Sequence, residues 1–188
     1  GIVSFNGRGF DLPLLAVRHR LHGLPFAAAQ LPHLDLLPVA RRLWRRRLPS
    51  CALCSLEGHV LGVSRHGDVP GWLIPERYLR YQRDGDARPL VSVFRHNVFD
   101  ILSMVSLLVR LARIGTTPEE ALHHGRDWLS LAVAHEARRN WAGVVSACEG
   151  ALARGLPPPE ADEASRRLAL AHRRRGDWAC AVDVWSGM

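Results

Sequence analysis

The sequence has no lysine: all 25 of its basic residues are arginine. GC-rich coding alone can produce that bias, so it identifies no partner by itself. It does leave a formal net charge of +7, a field that attracts polyanions. Long apolar runs are also missing. No stretch reaches the roughly 18 apolar residues of a membrane span, and the N-terminus lacks the pattern of a signal peptide. The reading is a cytoplasmic protein with no membrane contact. Cysteine is scarce, at four residues. Cys51 and Cys54 form a lone Cys-x-x-Cys, while Cys148 and Cys180 stand far off, which gives neither a disulfide framework nor the ligand spacing of a structural zinc site. His59 and His66 lie downstream, which keeps a zinc site conceivable. Reduced thiols are the plain reading, and a zinc site or a redox pair are the alternatives. Gly1 stands directly before a strand-like segment with no initiator Met, so the sequence reads as cut from a longer chain.

What is present begins with a short strand over 2–5, rich in β-branched and aromatic residues. Gly7 and Gly9 punctuate a turn, and a helix starts at Phe10 with Asp11 near its N-cap and Pro13 in its first turn. Gly23 and Pro25 end it. Residues 33–37 read as a second strand or its end, and 38–47 as an arginine-rich helix. A further helix follows Ser50 and ends near Gly62. Residues 64–75 are loop by their Gly and Pro content, 76–84 a short helix, and 88–113 one long helical tract. In that tract Leu90, Val93, Phe94, Ile101, Leu102, Val105, Leu108 and Leu111 recur at helical spacing.

After Ile114 the character changes. Thr117 is an N-cap candidate with Pro118 at the first helical position. Leu131-Ala132-Val133-Ala134-His135 with Trp141 and Leu168-Ala169-Leu170-Ala171-His172 with Trp178 repeat the same pattern at an offset of 168 − 131 = 37 residues. A helix, a polar turn and an aromatic opening a second helix at that period is a tetratricopeptide-like unit. The division is residues 1–114 and 115–188, the second part offering a surface for a protein partner.

Two clusters carry chemistry. His96 and Asp100 lie four apart and project from one helix face, an arrangement that suits a hard cation with an adjacent base. Asp11 sits where a strand gives way to a helix, a common place for reactive groups in α/β folds. Asn6 at the strand end can hold Asp11 or a nucleotide. Phe10 either packs in the core or stacks on a base. Asp11 and Asp100 are expected to converge on one site. Arg45, Arg46 and Arg47, with Arg41 and Arg42, form either a solvated helix face or a contact for phosphates.

The Asn6-x₃-Phe10-Asp11 and His96-x₃-Asp100 motifs resemble the second and third motifs of DEDD-class 3′–5′ exonucleases. The likeness over residues 2–113 is closer to the YprB-type ribonuclease H-like exonuclease family. It runs through His33-Leu34-Asp35-Leu36-Leu37, Ala40-Arg41-Arg42-Leu43-Trp44, Ser55-Leu56-Glu57, Val69-Pro70-Gly71 and His96-Asn97 with Asp100. The resemblance implies an α/β, RNase H-like fold followed by helical repeats. It also implies hydrolysis of nucleic-acid phosphodiesters at a single-stranded 3′ end, DNA or RNA, with two Mg²⁺ or Mn²⁺ ions. Asp11 and Asp100 would be metal ligands, with His96 beside the attacking water. Asn6, Phe10 and Arg45–Arg47 would be on the substrate, and Asp35 and Asn97 in support. Asp35 is either structural or substrate-side, or else a ligand.

Two departures qualify the likeness. Better-known third motifs read Tyr-x₃-Asp or His-x₄-Asp. The opening Asp-x-Glu strand of the class is missing, since Glu119-Glu120 and Asp162-Glu163 fall in helical or loop contexts. The class therefore implies two ligands from outside this sequence. This fragment is expected to be inactive alone, and a catalytically dead nucleic-acid-binding or scaffold module is the alternative.

Overall fold

The computed structural model describes all 188 residues, which group into two packing units. Gly1–Cys51 and Arg110–Met188 form the first, and Ala52–Val109 the second.

The first unit opens with β1 (Ile2–Ser4). A turn follows, and α1 (Asp11–Leu21) starts immediately after it. β2 (His33–Asp35) pairs with β1 in parallel, with Ile2 opposite His33 and Ser4 opposite Asp35. These are the only two strands, so the α/β expectation takes the form of a largely helical chain with one short parallel pair. The second strand stops at Asp35 rather than running to residue 37. The Asp35 carboxylate accepts from the Leu37 N–H, which caps a helix and turns Leu36 and Leu37 into its first residues.

That helix, α2 (Leu36–Trp44), buries Leu36, Leu37, Ala40, Leu43 and Trp44. The spacing places them on one face of a 3.6-residue helix. α1 has the opposite character. It buries no residue, and Leu14, Leu15, Val17 and Leu21 are exposed.

In the second unit, α3 (Leu53–Leu56) runs into a π-helical turn at Glu57–Leu61, which ends at Gly62 with φ +67°. A loop leads to α4 (Ile74–Asp84), closed by Gly85 in the left-handed region. A short 3₁₀ turn at Arg88–Leu90 precedes α5 (Val91–Thr116). α5 contributes Val91–Val109 to this unit and its remaining residues to the first. Leu90, Ser103, Leu107 and Ile114 are buried on or beside this helix, while Phe94, Ile101, Leu102 and Val105 are exposed. The long tract is therefore apolar on more than one face, and periodicity does not distinguish the covered face from the open one.

The repeat region belongs to the first unit. After α6 (Pro118–Ala121), Thr117 occupies the N-cap position, but its hydroxyl turns back to the Arg113 carbonyl. Then come α7 (Gly125–Glu136), α8 (Trp141–Ala153), α9 (Pro158–Arg175) and α10 (Trp178–Ser186). They pack in sequence, α7 on α8, α8 on α9 and α9 on α10, and α2 lies against α7. Trp128 anchors the first hairpin. It is buried, its Nε1–H donates to the Leu122 carbonyl, and its ring fills the space where a side chain at Gly150 would stand.

The 37-residue period holds in the backbone. Arg139 at φ +55° and Gly176 at φ +85° are equivalent left-handed positions. Asn140 and Asp177 then hold the N-cap positions of α8 and α10. Their N–H groups donate to the His135 and His172 carbonyls at 3.0 and 2.9 Å.

Candidate functional site

In the first unit the turn between β1 and α1 is built on Asp35. Its Oδ1 accepts from the Asn6 N–H at 2.8 Å and its Oδ2 from the Arg8 N–H at 3.0 Å, in addition to the cap at Leu37. Asn6 has φ +67°, a conformation Asn tolerates better than most residues. Its carbonyl accepts from Gly9 and Phe10. Its backbone thus sets the turn, and its side chain makes no hydrogen bond to Asp11. Gly7 is obligatory here, because an added Cβ would collide with Ser4 Oγ. That hydroxyl also bonds His33 Nε2 at 2.7 Å, while Arg8 reaches the His33 carbonyl at 2.9 Å. The outcome is a rigid turn that presents Phe10 and Asp11 to solvent. Phe10 is N-cap and Asp11 the first helical residue, with no side-chain cap. Phe10 is not in the core.

Asp35 ties the turn to the start of α2. Burial pushes its carboxyl upward, but the N–H donors of Arg8, Asn6 and Leu37 outweigh burial and hold it below the usual carboxylate range. A depressed folded value stabilises above the unfolded one. Asp35→Asn should therefore lose about 1–3 kcal/mol at pH 7. The wild-type advantage persists down to about pH 4 and vanishes as the pH falls further. Urea titrations of both proteins across that range measure it.

The second unit holds a denser cluster, centred on Arg65. Its Nη2 donates to Glu57 Oε1 and, at 2.7 Å, to Asp100 Oδ1, and its Nη1 donates to Asp68 Oδ2 at 3.0 Å. Glu57 is 2% exposed. Burial disfavours the Arg65 charge, but the bonds to Glu57, Asp100 and Asp68 more than offset it and raise the guanidinium's pKa. Asp68 also accepts from His96 Nδ1 at 2.8 Å and from the Val69 N–H. Burial raises the Asp68 carboxyl, yet Arg65 and His96 overcome this and lower it. An ionised carboxylate only accepts, so Nδ1 carries the imidazole hydrogen. In the neutral ring Nε2 is then the acceptor, 3.4 Å from Asp100 Oδ2. The guanidinium also lies 5.7 Å from the Phe99 ring centroid.

His96 and Asp100 do share one face of α5, as their spacing predicts. Asn97, one residue on, is exposed. Glu57, Arg65 and Asp68 were not singled out as site residues by sequence reasoning. The available signals were an arginine and an aspartate three apart in a Gly-rich loop, and a lone glutamate after an apolar helix start.

A divalent cation does not fit what this chain offers by itself. No group of three His, Cys, Asp or Glu side chains converges as a ligand set, and the cation at Asp100 is the Arg65 guanidinium.

The arginine triplet divides. Arg45 is exposed. Arg46 makes a bidentate pair with Glu163 at 2.9 Å, and Arg47 binds the buried Asp127 carboxylate at 2.9 Å. Two of the three guanidiniums therefore tie α2 and the turn after it to α9 and α7. Cys51 is buried, and burial raises its thiol despite Arg41 and Arg45, while Cys54 is exposed. No helix is long and apolar enough to cross a membrane.

Comparison with known proteins agrees with this picture at the level of family. YprB of Bacillus subtilis (strain 168), an uncharacterized protein, is 28% identical over 189 residues, covering 98% of this chain. The chain spans 44% of that relative's length. No solved structure matches. The model of the RNase H superfamily matches residues 1–112, both strands, the Asp35 turn and the Arg65 cluster included. The chain belongs to the RNase H superfamily.

Proposed function

We propose that this chain is part of a nuclease that hydrolyses nucleic-acid phosphodiester bonds from a 3′ end, in which Asp11, His96 and Asp100 are its share of the reacting centre. The observation that carries the reading is the half-buried His96–Asp100 pair on α5, oriented by Asp68 within the region matched by the superfamily. With Nδ1 committed to Asp68, Nε2 is positioned to accept a proton from a water. In a completed site Asp11 and Asp100 would be this chain's carboxylates for Mg²⁺ or Mn²⁺, with Arg65 giving up Asp100, and such ions would supply activation of water and neutralisation of a leaving oxygen. The complete set requires the two carboxylates of an Asp-x-Glu strand, which this chain does not contain. Phe10, exposed beside Asp11, would stack on a base, with Asn6 beside it, and the exposed Arg45 would meet phosphate.

A second reading has its own observation. Arg65 neutralises Asp100, which suits a retained fold that binds nucleic acid without cutting it.

One assay separates them, with 3′-labelled single-stranded DNA and RNA, Mn²⁺, and EDTA as control. Residues 1–188 alone should not trim either substrate. A longer protein that adds the Asp-x-Glu strand should trim in Mn²⁺ and stop in EDTA. Binding by that longer protein without trimming establishes the silent module instead, and trimming by 1–188 alone refutes the divided site.

A further inference from the structure

The last helix carries an apolar face that nothing covers. Trp178, Val182 and Trp185 are 64%, 60% and 56% exposed. They fall at i, i+4 and i+7, one stripe of a helix.

The repeat shows what such a face receives. Subtracting 37 places Trp178, Val182 and Trp185 on Trp141, Val145 and Cys148 of α8. There Val145 is 7% and Cys148 0% exposed. The neighbouring pair behaves differently, since Val144 of α8 and its equivalent Ala181 of α10 are both buried. α8 packs on the helix before it, α7, and on the helix after it, α9, whereas α10 packs on the helix before it, α9. Positions buried in both units therefore face the preceding helix. Positions buried in the first unit and open in the second face the following one. Arg174 of α9 confirms the geometry, with its guanidinium 5.8 Å from the Trp141 ring centroid.

We propose that the Trp178–Val182–Trp185 face of α10 is the seat of an amphipathic helix built like α9, the first helix of a further unit of the same repeat in the same polypeptide, lying on α10 as α9 lies on α8. Its chemistry follows from α9, which buries Ala164, Leu168, Ala169 and Ala171 and ends in arginines. Short side chains let the helix approach the two indoles, and a terminal arginine stacks over Trp178 as Arg174 does over Trp141. The same-chain source is favoured by the connection. Only residues 154–157 join α8 to α9, and so short a tether holds a helix at its neighbour at an effective concentration no separate partner matches. Stacked units of this kind depend on their neighbours to cover such faces.

The test is the 188-residue chain lengthened after Met188 by a copy of residues 152–176, which continues the 37-residue period without a gap. The added helix should shift indole emission to shorter wavelength and slow amide exchange in α10 roughly tenfold or more. Val182→Glu should abolish both changes in the lengthened chain, yet leave α10 exchange in the 188-residue chain essentially unaltered. Exchange and emission that do not respond to the added helix overturn the proposal, as does a response that Val182→Glu does not remove. Sedimentation of the 188-residue chain covers the rival occupant. A dimer that Val182→Glu dissociates would assign the face to a second copy and overturn the proposal, and a monomer supports it.

Discussion

Replacement of Arg65 by methionine should lower the unfolding free energy by about 3–5 kcal/mol, the range for removing one partner from a buried ionic group. Methionine keeps much of the stem's packing, so the loss reports the charge. The guanidinium is the one cation shared by Glu57, Asp68 and Asp100, and the side chains of Arg65 and Glu57 are only 11% and 2% exposed. Without it, the carboxylates of Glu57, Asp68 and Asp100 lose the cation they share. Lysine should recover only part of the loss, because its single ammonium lacks the rigid planar fork that sets the guanidinium's donors against Glu57, Asp68 and Asp100 at once. Urea unfolding at pH 7 measures both variants.

The pH dependence gives a second readout. In the native protein the Asp68 carboxyl is held low, so its contribution is present above the unfolded value and lost as the pH falls through the folded one. In Arg65→Met the Asp68 carboxyl loses the hydrogen bond that holds it low and titrates upward instead. The variant should therefore gain stability relative to wild type on acidification from pH 7 to about pH 5. A loss below about 1 kcal/mol at pH 7, with no relative recovery in acid, would show the cluster to be solvated and energetically idle.

Leucine at position 47 should cost a similar amount, about 3–5 kcal/mol, for a different reason. Asp127 lies within α7, with its side chain 3% exposed. Burial raises its carboxyl even with Arg47 beside it, and Arg47 pulls it back only in part. The pair is thus tolerated rather than strongly favourable, and removing only Arg47 leaves the buried carboxylate with no more than the through-space attraction of His124 and Arg110. Replacing both residues by leucine should return most of the loss, because an apolar pair avoids the desolvation of two ions. A double-mutant cycle by urea unfolding decides it. If the double variant is no more stable than Arg47→Leu, Asp127 matters for something other than its pairing with Arg47.

These ion pairs mark where reading the sequence stopped. Features fixed within a few residues were legible. The first strand and the first helix lie within one residue of where local sequence placed them, and the breaks at Gly23, Gly62 and Gly85 and the 37-residue period recur in the backbone. The reason is physical: backbone freedom, capping and periodicity act over one or two turns. Even the left-handed Arg139 could be located, from Gly176 one period later. His96 and Asp100 were found because helical spacing alone puts them on one face.

Partners far apart in sequence were not legible. Arg46 and Arg47 read as either a solvated helix face or a contact for phosphate, whereas Glu163 and Asp127, 117 and 80 residues away, take them up. For Asp35 the sequence left a structural or substrate-side role and a ligand role open, and it did not show the N–H groups of Asn6 and Arg8 that bond the carboxylate. A guanidinium carries no local trace of which carboxylate it will meet. An apolar stripe carries none of whether another element will cover it, as α5 and α10 show. By itself the sequence determined the elements, the repeat and the residue types at the candidate site. Only the tertiary structure decided which charges are already engaged, because that depends on which surfaces packing brings together.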